Sequence, residues 1–552
     1  MIASLSARLA PARLALLALL AATALSPAFA QTATSETGTS ETGTSETATP
    51  GEADFRNAGS DAGNWILPAK NYANNPWTPD TEIGRGNVGK LRLAWRHEEK
   101  DGPIMAMPLV WHETMFLSTA GGTVIALDAA NGKPKWRTPL AEAGAGRLAL
   151  FDGNVYLATE KGALIALDPE NGHKKWEAAA ATEAGFRTAP VPYHNPASGL
   201  DMLLIGTGAT SAGESGAIAA FAARDGKPLW LWRAIPGPGA AGHESWGGSS
   251  SRQGAVAPVG IALSPGTHTV FVTFGSPAPA YDGAARPGNN LYSDSLVALD
   301  LATPEPKLRG YHQFIAHDVW DWGPATAPLL FFGQIGDKER NLIAVGDKGG
   351  NLWILDGDSG ALLDHAALSF VKNGATHAPG GAAVICPAID GGIQSFGAAF
   401  DAANDTLFLA SADQCAAVSS GKAGSDVRVL GPGAGIFNAV SVASGTFLWR
   451  RHFEFSAEGA GAHGAGASFG VPQIGPRLEK PVNAGALATA SGLVFTAEPG
   501  GNFVAFDGNT GQRLWHAETG AAITTPAIAY HAGRGEMIAV AAGGAMSAYT
   551  TR

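Results

Sequence analysis

The chain has 552 residues, with 73 Gly, 14 Trp and only 15% charged side chains, a balance that points to tight turns and large packing residues and away from a helical or disordered protein. Its net charge of −11, more negative still without Arg8 and Arg13, repels phosphate backbones and argues against nucleic acid as a partner. Length alone leaves several domains or one large repeat fold equally open.

Residues 1–30 read as a secretory signal: Arg8 and Arg13 make the basic region, Leu14 to Leu25 the apolar core, and Ala28-Phe29-Ala30 the small-residue cleavage site. The apolar run is too short for a retained anchor, and no later stretch is apolar enough to span a bilayer, so the expected product is a soluble, periplasmic chain without a transmembrane segment. Residues 31–53 repeat TSETG, a polar tract that cannot build a core and reads as a disordered linker. The rest, residues 54–552, reads as a single domain.

That domain is repetitive. VIALDAANGKPKW (Val124 to Trp136) recurs as LIALDPENGHKKW (Leu164 to Trp176) and FVAFDGNTGQRLW (Phe503 to Trp515), each with Asp, then Gly four residues on, then Trp four beyond. Weaker copies end at Trp230 and Trp449, with Ala222 and Ser441 in the Asp position, and partial ones surround Asp300 and Asp356. Alternating apolar residues predict a half-buried strand, Asp and Gly the turn, and Trp the inward residue of the next strand. One hairpin cannot bury its own faces, so neighbouring units must supply the contact, with each Trp packed between sheets. The expected fold is an all-β, eight-bladed β-propeller, its last blade combining Met537 to Ala541 with Leu91 to Trp95 so that no sheet edge is left open.

Cys386 and Cys415 are the only cysteines. In an exported chain such a pair reads as one disulfide or as two buried thiols. No CxxCH occurs, so no haem c is expected and electrons from any redox reaction must pass to a separate acceptor.

The strings SPAPAYDGAARPGNNLYSDSLVALD (Ser276 to Asp300) and HDVWDW (His317 to Trp322) resemble the quinoprotein alcohol dehydrogenases, which hold pyrroloquinoline quinone (PQQ) in an eight-bladed propeller. YANNPWTP and NVGKLRLAW look like the family's opening, and GALATASGLVFTAEPGGNFVAFDGNTGQRLW like its closing blade. The surroundings of the cysteines, ICPAIDGG and ADQC, resemble family segments that carry a disulfide. The resemblance implies Asp321 as general base and metal ligand, and Lys348, in VGDKGGNLWILD, as the cation that hydrogen-bonds the quinone oxygens. From spacing alone the two read as turn residues, Asp321 accepting backbone N–H groups and Lys348 solvated.

Other family positions are substituted. The metal-binding Glu falls near Ser211, with Glu214 three residues away as a substitute, and the metal-binding Asn is Ser276. A neutral hydroxyl is a weaker calcium ligand than a carboxylate. Met105 stands where an acidic residue is expected, and the adjacent cysteine pair that caps the quinone is absent around Gly146. The stacking Trp falls near Pro258, leaving Trp246 as a displaced candidate, and the later Asn is Gln394. Gly323 lacks the extra Asp of lanthanide-using members, which favours Ca2+. Two expectations follow: an exported PQQ-dependent dehydrogenase that oxidises an alcohol or sugar and passes electrons to a cytochrome c or quinone, or a catalytically inactive propeller serving as a cell-envelope binding or assembly scaffold.

Overall fold

The computed structural model describes residues 49–552 apart from 141–143, 180–184, 209–214, 248–259, 285, 371–381, 389–390, 394–396, 422–423, 456–483, 499 and 534. The expected signal and most of the linker lie outside the described residues. The linker expectation is corrected at its end: Glu52–Asn57 is a helix, with Phe55 buried against Tyr72 and Phe151, because FRN already carries an apolar anchor that the TSETG repeat lacks.

From Trp77 onward the elements are β-strands and short 3₁₀ turns, gathered into eight separate sheets of four or five strands among the described residues. Five are antiparallel meanders of sequential strands, such as Leu109–Trp111, Thr114–Ser118, Thr123–Asp128 and Pro134–Pro139, and in a sixth Ala382–Ile385 and Ala399–Asp401 both pair with Thr406–Gly421. Two join distant parts of the chain. Arg92–Glu98 pairs with Ala545–Thr550, which pairs with Gly535–Ala542, so the expected sharing of one sheet by both ends is present with one strand between. Trp77–Thr78 also runs parallel to Leu487–Thr489.

The repeat motif acquires a physical meaning in these sheets. Three Trp residues reach to the Asp–Gly turn of the next unit: the indole N–H of Trp95 donates to Ala129 O (3.0 Å), that of Trp136 to Pro169 O (2.8 Å) and that of Trp449 to Gly508 O (2.7 Å), whereas that of Trp515 goes to Leu91 O (3.0 Å). A Cβ on Gly132, Gly172 or Gly511 would collide with those same rings, and all three glycines have φ between +65° and +73°, so the turn needs Gly both for its backbone and as a seat for the incoming ring. Where Ala222 or Ser441 replaces Asp, the turn persists through Gly226 N–H to Ala222 O and Gly445 N–H to Ser441 O. One expectation is corrected. The strands before the Asp are not half-buried but buried on both faces, as Thr123–Asp128 is up to its last residue, because flanking sheets cover them from either side; exposure alternates only on outer strands such as Lys174–Ala179.

The junction of the two ends contains a buried acid. Glu536 accepts the Ile83 N–H through Oε2 (2.6 Å), its Oε1 has no partner, and burial, with Asp80 and Glu82 nearby, pushes its carboxyl up to about 8. A raised acid is stabilising while protonated: the contribution is complete below the unfolded value of 4.5 and is lost as pH rises through about 8. Asp347, pushed by burial up to about 7, acts in the same direction. The Tm is therefore expected to fall between pH 5 and 8.5, and Glu536→Gln to recover about 2–4 °C at pH 8.5 with little change at pH 5, as scanning calorimetry would read. A Tm that rises over this range, or an unaltered slope in the variant, contradicts the assignment.

Candidate functional site

The site is assembled at the ends of two neighbouring hairpins. Thr269–Phe274 pairs with Ser295–Asp300, the last partners being Phe274 and Ser295. Between them the chain makes an excursion over residues 275–294, which leaves Ser276 and Asp294 side by side where the ladder stops, tied by Asp294 N–H to Gly275 O (3.0 Å). The next hairpin, Lys338–Gly346 with Asn351–Asp356, turns through Asp347-Lys348-Gly349-Gly350. Asp347 holds that turn by accepting from the Asn351 N–H (2.8 Å) and the Trp353 indole N–H (2.6 Å). The HDVWDW segment runs between the hairpins and is pinned to the second by Lys348 N–H to Gly323 O (3.1 Å).

Asp321 and Lys348 meet here: Lys348 Nζ donates to Asp321 Oδ1 at 2.6 Å, with side chains 18% and 15% exposed respectively. The pair is sheltered but not sealed off, a setting in which a charge-assisted contact is strong. The turn role that spacing suggested for Asp321 belongs instead to Asp318, whose two carboxylate oxygens accept the Trp320 and Trp322 N–H groups (2.8 and 2.9 Å). Asp321 is thereby left for other work, at a backbone φ of +59°. Of the eleven non-glycine residues with positive φ among the described residues, five fall between 281 and 321: Tyr281, Asn290, Asp294, His317 and Asp321. Unfavourable backbone held by its surroundings concentrates at functional sites.

The cysteines form a disulfide, Cys386–Cys415. Cross-linking a separation of 29 residues stabilises by about 3.6 kcal/mol in the chain-entropy account. Its position matters for the site: the Trp322 indole N–H donates to Pro387 O (2.8 Å), and Gly392 packs directly on the Lys348 carbonyl at φ +74°, where a Cβ has no room. The bridged segment thus backs the Lys348 turn.

Ser276 joins the cluster, its Oγ accepting the Gly323 N–H at 3.0 Å. Trp246 does not. It ends the 3₁₀ turn His243–Trp246, is fully enclosed in a hydrophobic cluster, and spends its indole N–H on Leu291 O (2.5 Å). Ser211, Glu214 and Gln394 lie outside the described residues. Among the described residues no three His, Cys, Asp or Glu side chains gather into a metal-binding group.

Two residues escaped the sequence reading. Arg286 is fully buried and locks the excursion to HDVWDW by donating to Asn290 Oδ1 (2.9 Å), Pro279 O (3.0 Å) and Asp318 O (2.5 Å). Asp294 is also fully buried, and neither carboxylate oxygen has a hydrogen-bond partner. Burial pushes its carboxyl well above the usual range, and Asp318 adds to that. The ARPGNN and SDS strings were the available signal, but only the folded chain brings them to HDVWDW.

Comparison with known proteins adds the following. Residues 195–365 and 422–538 match the family described as PQQ glucose/ethanol/alcohol dehydrogenase, β-propeller domain, and residues 88–241 match that of the outer membrane protein assembly factor BamB. The quinoprotein alcohol dehydrogenase PedH of Pseudomonas putida is 24% identical over 515 residues, covering 85% of this chain and 84% of that protein. Methanol dehydrogenase [cytochrome c] subunit 1 of Methylorubrum extorquens is 25% identical over 56% of this chain and 55% of its own. Among solved structures, the quinohemoprotein alcohol dehydrogenase of Comamonas testosteroni superposes with a TM-score of 0.77 at 19% identity, over 90% of this chain and 82% of that one. A europium-containing methanol dehydrogenase gives 0.72 at 21% identity, over 89% and 91%. At these identities the superpositions bear on the fold, which is that of the PQQ dehydrogenase propellers.

Proposed function

The chain belongs to the PQQ-dependent alcohol dehydrogenase family, and from that premise we propose that it is an exported, periplasmic dehydrogenase that oxidises an alcohol or sugar, its eight sheets being the blades of one propeller. The observation that carries this reading is the Asp321–Lys348 pair, two oppositely charged side chains 2.6 Å apart on separate loops, partly exposed and buttressed by a disulfide-linked segment. The residues present fit the family's cofactors in part. Lys348 would donate to quinone oxygens, with Gln394 as a further cofactor-binding candidate, and the unpartnered buried Asp294 carboxylate beside Ser276 suits a cation, with Asp321, Ser211 and Glu214 as further metal candidates. Trp246, with its ring enclosed, is left out of this reading.

When bound, PQQ supplies a two-electron acceptor and calcium a Lewis acid. The chain's own contribution is positional. Asp321 accepts the hydroxyl proton of the substrate, and the fixed left-handed backbone at this residue aims its carboxylate without reliance on a flexible loop. Lys348 holds that carboxylate in place through its 2.6 Å contact with Oδ1. No CxxCH occurs in the sequence, so the electrons leave to a separate cytochrome c or quinone.

The test is a titration of the purified mature chain with PQQ and calcium, following cofactor absorbance alongside dye reduction with a panel of alcohols and sugars. Calcium-dependent binding with turnover is the expected result. Absence of binding at saturating cofactor would sink the dehydrogenase reading and leave a propeller scaffold.

A further inference from the structure

We propose that Asp294 is a cation ligand of this chain, binding a hard divalent cation of the calcium class together with the Ser276 hydroxyl; the proposal deepens the dehydrogenase reading and rests on it for the cation's purpose. The argument starts from hydrogen-bond accounting. Asp294 is fully buried with both carboxylate oxygens unpartnered, and Arg286 Nε, also buried without a partner, is not bonded to them. Other donors go elsewhere: the Ser293 hydroxyl to Asn290 O (2.7 Å), the two Arg286 Nη groups to Asn290, Pro279 and Asp318, and the Gly323 N–H to Ser276 Oγ. A buried carboxylate with no donor costs several kcal/mol unless a cation or a proton joins it.

The surrounding geometry favours a cation. Gly323 packs against both groups: a Cβ there would lie 2.7 Å from Ser276 Oγ and overlap Asp294 Oδ1, so the hydroxyl and the carboxylate oxygen converge on the same glycine. The backbone at Asp294 is held at φ +51° to present them. Ser276 is partly exposed, which gives an ion a path and leaves room for water ligands. A calcium-class ion accepts six to eight oxygens and takes water among them, so the proposed site joins one carboxylate, one hydroxyl and solvent, with no second acidic side chain.

The experiment uses the chain without PQQ first. Metal-free protein is titrated with Ca2+ by isothermal calorimetry and with Tb3+ by luminescence sensitised through Trp320 and Trp322, then the titrations are repeated with PQQ present. Wild type is expected to bind one equivalent, and Asp294→Asn, which keeps shape but removes charge, to lose about 30-fold or more in affinity with an unchanged circular dichroism spectrum. Should Asp294→Asn fail to fold, Ser276→Ala on the exposed side carries the test, with about a tenfold loss expected. No bound cation in wild type under either condition, or equal affinity in wild type and variant, overturns the proposal. The two readings separate cleanly: Asp294-dependent binding without any dye reduction retains the site and removes the dehydrogenase, whereas calcium-dependent turnover with the same half-saturation in Asp294→Asn does the reverse.

Discussion

Asp321→Asn lowers dye-linked turnover by about 10³-fold or more while leaving the Tm within about 1 °C of wild type, if this carboxylate is the base. The structural half of the expectation follows from the backbone. Asp321 sits at φ +59°, a conformation that Asn tolerates as well as Asp, and the amide oxygen can still accept from Lys348 Nζ. The local turn does not rest on this side chain, because Asp318 takes the Trp320 and Trp322 N–H groups. What disappears is the capacity to take a proton. The loss should therefore appear in kcat and in kcat/KM alike, with KM little changed, the signature of an interaction made in the transition state. Full turnover in the variant would remove Asp321 from the mechanism, and a collapsed Tm would mean that the side chain is structural after all.

The fold was legible because the repeat encodes contact between units. Asp, Gly and Trp at fixed spacing describe a turn and the ring that lands on the next turn, so a local pattern carries long-range information, as the Trp95–Gly132 and Trp136–Gly172 contacts make plain. What local alternation did not predict was burial on both faces of the inner strands, since coverage from a neighbouring sheet has no period within the strand itself. In the site, Asp321 and Lys348 were legible through the strings around them, and their 2.6 Å separation joins residues that are 27 apart in sequence. Asp294 was not. In NNLYSDSLVALD it is one acid before a strand and reads as an ordinary turn residue; its lack of partners is a property of burial by Arg286, Asp318 and Ser276, which three other positions of the chain supply. Trp246 shows the opposite error. Its residue type suited stacking on a cofactor, but the turn His243–Trp246 is laced to Asn290 and Leu291 and closes over the ring.

Lys348→Met should cost about 10²-fold in kcat, and Lys348→Arg should recover part of it. Met has similar length and leaves the backbone anchors in place, namely Lys348 N–H to Gly323 O and the Asp347 contacts with Asn351 and Trp353, so the change isolates the charge. Arg restores the charge, but its planar fork cannot reproduce the geometry of a single ammonium 2.6 Å from one oxygen, which is why recovery is partial. Combined with Asp321→Asn the effects should multiply only in part: the share of Lys348 that orients the base is already lost with the carboxylate, whereas the share that donates to quinone oxygens is not. Turnover falling by the full product of the two single losses would mean that Lys348 acts on the quinone alone, and that its ion pair with Asp321 is incidental to the chemistry.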